Sequence, residues 1–335
     1  MLKHLAPSES PPSRVFILGR SGFVATYLLR ELRQISVPTE AFGRPELDLT
    51  DPSSVGTFTR LLRPTDTLVI TSALTPDKGR DFRTLMTNLR MMEHVCEALD
   101  QRPCEHVIYL SSDAVYDAHK TPLDEDSSRE PVDLYACMHT QREMMLESVL
   151  SAKRIPYCIL RPVNIYGFGD THNSYGPNRF VRQAFEAGKI ALFGKGEERR
   201  NHLFIEDAAR IISKCAQRRS VGTLNLFAPG VVSFMQVATL VRSVCNFNVE
   251  FDFRPRVIST VHRPYKATQV FRFIYNLGRQ IGPVVHRPYS AAQFSKAFPD
   301  FQFTLMREAI TRYVRLYEQD QLATRSSTAA RPVLS

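Results

Sequence analysis

The chain has 335 residues, 43% hydrophobic and 23% charged, an ordinary globular composition with enough apolar material for one large core or two unequal ones. A net charge of +9 favours acidic ligands, yet the basic residues are dispersed, so a diffuse field around a small anion fits better than a polynucleotide track. No run approaches the roughly 18 apolar residues that cross a bilayer.

The opening "MLKHLAPSESPPS" lacks the apolar core of a signal peptide. Six cysteines show no CxxC pair, which argues against a zinc site and for reduced thiols. The expectation is a cytoplasmic protein with no metal, no membrane contact and nucleic acid disfavoured as a partner.

Residues 1–13 and 320–335 read as mobile ends rich in Pro, Ser, Thr and Ala. Between them, "RVFIL" (14–18) predicts a strand and "GFVATYLLREL" (22–32) a helix with an apolar stripe. Further strands are expected at 40–43, 67–73, 105–112 and 156–162, with helices at 52–62, 80–99 and 133–150. Such alternation with near-continuous apolar strands implies an α/β fold, a doubly wound parallel sheet of Rossmann type, over residues 14–165. From 166 to 319 the pattern loosens into a smaller mixed C-terminal lobe suited to holding substrate, with some later segments returning to the first unit. The echo of "HRPYKATQVF" (262–271) in "HRPYSAAQFS" (286–295) is too short a series for a repeat architecture.

The first strand runs into Gly19-x-x-Gly22-x-x-Ala25. Glycines at this spacing let backbone N–H groups and a helix N-terminus approach a pyrophosphate, and the small alanine allows close helix–strand packing. After the second predicted strand stands Gly43-Arg44 rather than a carboxylate, and Arg20 lies inside the glycine turn. Two guanidiniums suit the 2′-phosphate of NADP over NAD. The alternative is that Arg44 is a solvated loop residue and Glu40 lies at the strand end; Asp48 could reach the adenine amino group.

With "YLSSDAVYD" (109–117), Tyr135, "RPVNIYG" (161–167) and "RRNHLFIEDAA" (199–209) in order, the chain resembles the extended short-chain dehydrogenase/reductases over about 14–315. The group it is similar to comprises NAD(P)-dependent epimerases and dehydratases of nucleotide sugars. The resemblance implies that Ser112 orients the reacting oxygen, Asp113 matches a general acid, and Tyr135 exchanges a proton while hydride moves. The second carboxylate of the dehydratases is Ala114 here. The same resemblance puts Ser21, Phe23, Leu49, Ala73 and Asn88 along the cofactor, and Asn164, Asn178, Arg200 and Arg287 around a nucleoside-diphosphate sugar. It also implies a homodimer through the helices at 80–99 and 133–150.

One departure stands out. The family places lysine four residues after the tyrosine, on the same helix face, where its ammonium holds the ribose and favours tyrosinate; here His139 occupies that position. Arg142 lies seven residues on. Three readings follow: His139 partly protonated beside Asp113 or a phosphate, Tyr135 acting as a neutral acid suited to reducing a ketone, or a protein that binds its ligands without turnover. An RNA-binding Rossmann protein is a further alternative.

Overall fold

The computed structural model describes residues 1–116, 122–174, 176–255 and 288–329. In chain order the elements of the first half are β1 (Lys3–His4), β2 (Arg14–Leu18), α1 (Phe23–Gln34), β3 (Thr39–Phe42), α2 (Ser54–Leu61), β4 (Asp66–Ile70), α3 (Phe82–Gln101), β5 (His106–Leu110) and α4 (Leu134–Ala152). There follow β6 (Tyr157–Pro162), β7 (Ile165–Tyr166), α5 (Pro177–Ala187), β8 (Lys189–Phe193), β9 (Arg199–Arg200), β10 (Leu203–Phe204), α6 (Ile205–Gln217) and β11 (Ser220–Leu226). The last are β12 (Val232–Ser233), α7 (Phe234–Val244), β13 (Glu250–Arg254), α8 (Ala292–Ala297) and α9 (Met306–Ala329).

Seven strands form one sheet in the order β1-β11-β6-β5-β4-β2-β3, parallel except for β1. The doubly wound prediction is therefore met, and its strands and helices fall within a few residues of where the sequence put them. Alternation explains how both sheet faces are covered. Val15 and Ile17 of β2 join Ala25, Leu28 and Leu32 of α1 and Ile211 and Cys215 of α6 in one layer. Phe16 and Leu18 point the other way, to Phe58 of α2, Met92 and Val95 of α3 and Leu146 of α4. Strands buried on both faces need near-continuous apolar runs, which "VFIL" of β2 and "LVI" of β4 supply, while the buried Arg14 and Asp66 at their starts pair with each other.

The chain reverses direction in the sheet at β2, passing to β3 on one side and then to β4 on the other. Ligands of open parallel sheets bind in the crevice at such a reversal. Beside it, α5, α7, α9 and β8 enclose a separate core of Phe180, Val181, Leu192, Phe234, Val241, Ile310 and Tyr313.

Both ends depart from expectation. The first residues, read as mobile, pair Lys3 and His4 with Val221 and Ser220, and Leu2 is buried. His4 lies 2.8 Å from both Ser220 Oγ and the Ala297 carbonyl. Gly222 permits this: a Cβ there would fall 2.4 Å from the Met1 carbonyl oxygen. At the other end α9 continues through Ala329, so 320–329 is helix rather than loose tail.

Candidate active site

The glycine turn closes tightly against the neighbouring strand's exit. Gly19 has φ of +102°, and a Cβ on it would lie 2.9 Å from Thr71 Oγ1 and 3.0 Å from the Ser72 nitrogen, so only glycine fits. Gly19 and Arg20 donate their N–H groups to the Phe42 carbonyl at 2.9 and 3.1 Å, which ties the turn to the end of β3. Gly22 caps α1 without any side-chain hydrogen bond, and the helix has no acidic residue in its first turn. The turn at Ser21 and the start of α1 at Phe23 therefore carry no side-chain cap and no carboxylate. The Phe23 ring packs edge-on to Tyr27 at 5.7 Å and beside Gly167, at the seam with the second core.

At the end of β3, Arg44 is exposed while Arg20 pairs with Glu46 at 3.0 Å, a carboxylate that sequence reasoning missed. Glu40 does not serve as the strand-end carboxylate: it binds Arg14 at 2.9 Å, toward the start of the sheet. Asp48 Oδ1 accepts from the Thr50 N–H and hydroxyl at 2.9 and 2.8 Å, with the backbone donor the main cause holding its carboxyl below the usual range. Leu49 is buried in the core and its carbonyl accepts from His94 Nδ1 at 2.8 Å.

Asn88 corrects its expected role as a cofactor contact. It is 1% exposed; Oδ1 accepts from Leu74 N–H at 2.8 Å and Nδ2 donates to the Leu74 and Thr84 carbonyls. Two of these bonds hold the loop after Ala73 in shape, and the third ties the side chain to its own helix. Asn178, expected at the substrate, is corrected for the same reason. It is 1% exposed, accepts from Gly167 N–H at 3.0 Å, and donates to the Ile165 carbonyl and to Asp170 Oδ2. Asn164 is exposed, with only its carbonyl engaged, by Leu203 N–H at 3.1 Å. Arg200 pairs through Nη2 with Glu198 at 2.5 Å, while Nη1 is buried without a partner among the described residues. Arg287 lies outside the described residues.

The reacting groups gather where β5 ends and α4 begins. Asp133 caps α4 by accepting from Ala136 N–H at 2.8 Å, which sets Tyr135 in the first turn. The Ser112 side chain acts on the Tyr135 phenol as a polar neighbour that favours its ionised form, and Ser112 itself is buried. Burial pushes this phenol up to about 12, Ser112 opposes that, the Asp113 charge adds to it and Arg142 counters. The tyrosine is thus a firmly protonated acid. Asp113 is held from across the fold: the Tyr289 hydroxyl donates to its Oδ2 at 2.5 Å.

His139 is 2% exposed. Its Nδ1 lies 3.0 Å from the Tyr109 hydroxyl, its ring stands edge-on to Tyr135 at 4.7 Å, and Nε2 has no partner among the described residues. Burial, aided by Arg142, lowers its pKa to about 3. Among the described residues no carboxylate is paired with the imidazole, which speaks against partial protonation through Asp113, and burial favours the uncharged ring at neutral pH. The lysine's charge is not replaced at position 139.

Among the described residues no helix is long and apolar enough to cross a membrane. Residues 15–226 match the model of the NAD dependent epimerase/dehydratase family. Against UDP-glucuronic acid decarboxylase 4 of Arabidopsis thaliana the chain is 26% identical over 101 residues, 27% of this chain and 23% of that protein, so the match spans about a quarter of the relative. With GDP-L-fucose synthase of Sinorhizobium fredii it shares 22% identity over 258 residues, 72% of this chain and 82% of the relative. A GDP-L-fucose synthetase from Naegleria fowleri, solved bound to NADP, superposes with a TM-score of 0.77 at 16% identity, covering 96% of each chain. Likeness at that identity establishes a shared fold.

Proposed function

Because the chain belongs to the NAD dependent epimerase/dehydratase family, we propose that it reduces a ketone on a nucleoside-diphosphate sugar, using a reduced nicotinamide dinucleotide. The observation that carries this direction is the protonated Tyr135, beside Ser112 and backed by a neutral His139. Ser112 orients the substrate carbonyl, and Tyr135 gives its proton to the oxygen. When bound, the dinucleotide supplies the hydride that goes to the carbonyl carbon. The phenolate left on Tyr135 then recovers a proton from solvent.

The residues present fit such a cofactor. Gly19 leaves a cradle that a Cβ would fill, the N-terminus of α1 is uncapped, and His139 Nε2 is a buried polar atom lacking a partner that a ribose hydroxyl could supply. NADP is favoured over NAD by Arg20 and the exposed Arg44, with the 2′-phosphate competing against Glu46 for Arg20. Arg200, whose buried Nη1 has no partner among the described residues, and the exposed Asn164 support an anionic, hydroxyl-rich substrate.

Epimerisation requires the same tyrosine to take a proton from an alcohol. With a pKa of about 12, only about one molecule in 100,000 is ionised at pH 7, which favours reduction over oxidation. Dehydration is disfavoured by Ala114. Self-association through α3 and α4 is supported by exposed Phe82, Met86, Leu134 and Met144 on those helices. The test is NAD(P)H oxidation with a panel of keto-sugar nucleotides. Tyr135→Phe should lose at least about 100-fold in turnover while keeping dinucleotide affinity; undiminished turnover would remove Tyr135 from the mechanism.

A further inference from the structure

Arg142 is fully buried, two helical turns beyond Tyr135 on α4. Among the described residues its contacts are all uncharged: Nη2 donates to the Ser72 carbonyl at 2.8 Å, Nη1 faces Met138 Sδ at 3.9 Å, and the guanidinium lies 5.4 Å from the Tyr109 ring centre. Nε has no partner, and no carboxylate pairs with this arginine among the described residues. The adjacent Glu143, by contrast, is saturated by Arg161, Arg129 and Ser111.

A buried guanidinium without a counter-ion is costly, and the cost falls whenever a negative charge appears nearby. The groups facing Tyr135 are Ser112 and Asp113 after β5, Asp133 at the head of α4, and His139 and Arg142 along it. Arg142 is the one cation in that set. Tyr109 and the neutral His139 stand beside it as polarisable, uncharged groups. The Ser72 carbonyl anchors it to the loop that closes over Gly19.

We propose that Arg142 is a positioning residue whose fixed charge stabilises the phenolate Tyr135 becomes on protonating the substrate carbonyl, so that the cation absent from position 139 is supplied from two turns further along the helix. This rests on the reading of Tyr135 as the proton donor, but its electrostatic core can be tested without turnover. A polyfluorinated tyrosine introduced at position 135 has a lowered intrinsic pKa, so its fluorine resonance can be titrated while the chain stays folded.

Arg142→Gln keeps a donor for the Ser72 carbonyl and removes the charge. It should raise the titration midpoint by roughly one unit, about tenfold in ionisation constant, as a unit charge at moderate distance and effective dielectric near 20 does. Arg142→Lys should restore most of the shift, which a purely structural role would not do. A midpoint unchanged in Arg142→Gln overturns the proposal even if Tyr135→Phe abolishes turnover. A shift with full activity in Tyr135→Phe would instead sink the proton-donor reading. Should Arg142→Gln not fold, the double variant His139→Lys/Arg142→Gln returns the cation one turn nearer the phenol. A midpoint in this double variant above that of His139→Lys alone supports the proposal, and one equal to it overturns the proposal.

Discussion

The Tyr289 hydroxyl donates a 2.5 Å hydrogen bond to Asp113 Oδ2, joining residues 176 positions apart across the rim of the site. The contact is braced by backbone bonds from Leu123 N–H to the Pro288 carbonyl and from Ser290 N–H to the Leu123 carbonyl, at 3.0 and 2.8 Å. Asp113 therefore cannot swing freely as a general acid, and its charge bears on Tyr135 from a fixed position. Asp113→Asn removes a charge that raises the Tyr135 pKa. The variant should move the high-pH limb of ketone reduction to lower pH, measured as the pH dependence of kcat/KM; a limb that moves upward contradicts this placement.

A donor acid with a pKa near 12 stays loaded across the physiological range, and His139 with a pKa near 3 does not titrate there. Reduction should fall only as pH rises through the tyrosine's own pKa, so the profile contributed by these two groups is flat from about pH 6 to 10. His139→Lys places a cation against the phenol and should bring that falling limb into the measurable range. If His139→Lys creates turnover where the unsubstituted chain has none, the natural protein is a binder and not a catalyst.

Folding stability carries a second pH signature. His106, His139 and His202 are buried with pKa values lowered to about 4, 3 and 4, each chiefly by desolvation. Their unfolded counterparts bind protons below about 6.5, so stability is complete above that pH and declines as pH falls toward 3–4. Each contributes up to about 1.4 kcal/mol per pH unit in that window. His139→Gln should flatten the decline in denaturation midpoint between pH 6.5 and 4 by roughly one proton's worth. An unaltered slope would mean the imidazole is not held neutral.

Gly19→Ala sets a methyl 2.9 Å from Thr71 Oγ1 at a φ of +102°. The expected cost is about 1–3 kcal/mol of stability together with a loss of dinucleotide affinity, seen by thermal melting with and without NADPH. Equal affinity in the variant would place the cofactor elsewhere.

For cofactor choice, Arg44→Ser should weaken NADPH binding by roughly tenfold and leave NADH nearly unchanged, as removal of one phosphate contact does. Glu46→Gln should tighten NADPH by releasing Arg20 from its 3.0 Å pair. Titration of intrinsic or cofactor fluorescence reads both; parallel losses for the two dinucleotides in Arg44→Ser would count against a 2′-phosphate site.

The doubly wound sheet and its glycine turn could be read from the chain alone because the signals are local. Period-two apolar runs such as "RVFIL" and a Gly19–Gly22–Ala25 spacing act over a handful of residues, and neighbours in sequence suffice to express them. The same holds for Tyr135 and His139, whose separation of four puts them on one helix face whatever surrounds the helix. Only the tertiary structure decided what those side chains are. Whether His139 carries a charge depends on Tyr109 and on exclusion of water, and whether Asn88 or Asn178 faces a ligand depends on backbone groups supplied by other loops. Desolvation and hydrogen-bond satisfaction are properties of what the rest of the fold brings to a residue, and no spacing along the chain encodes them.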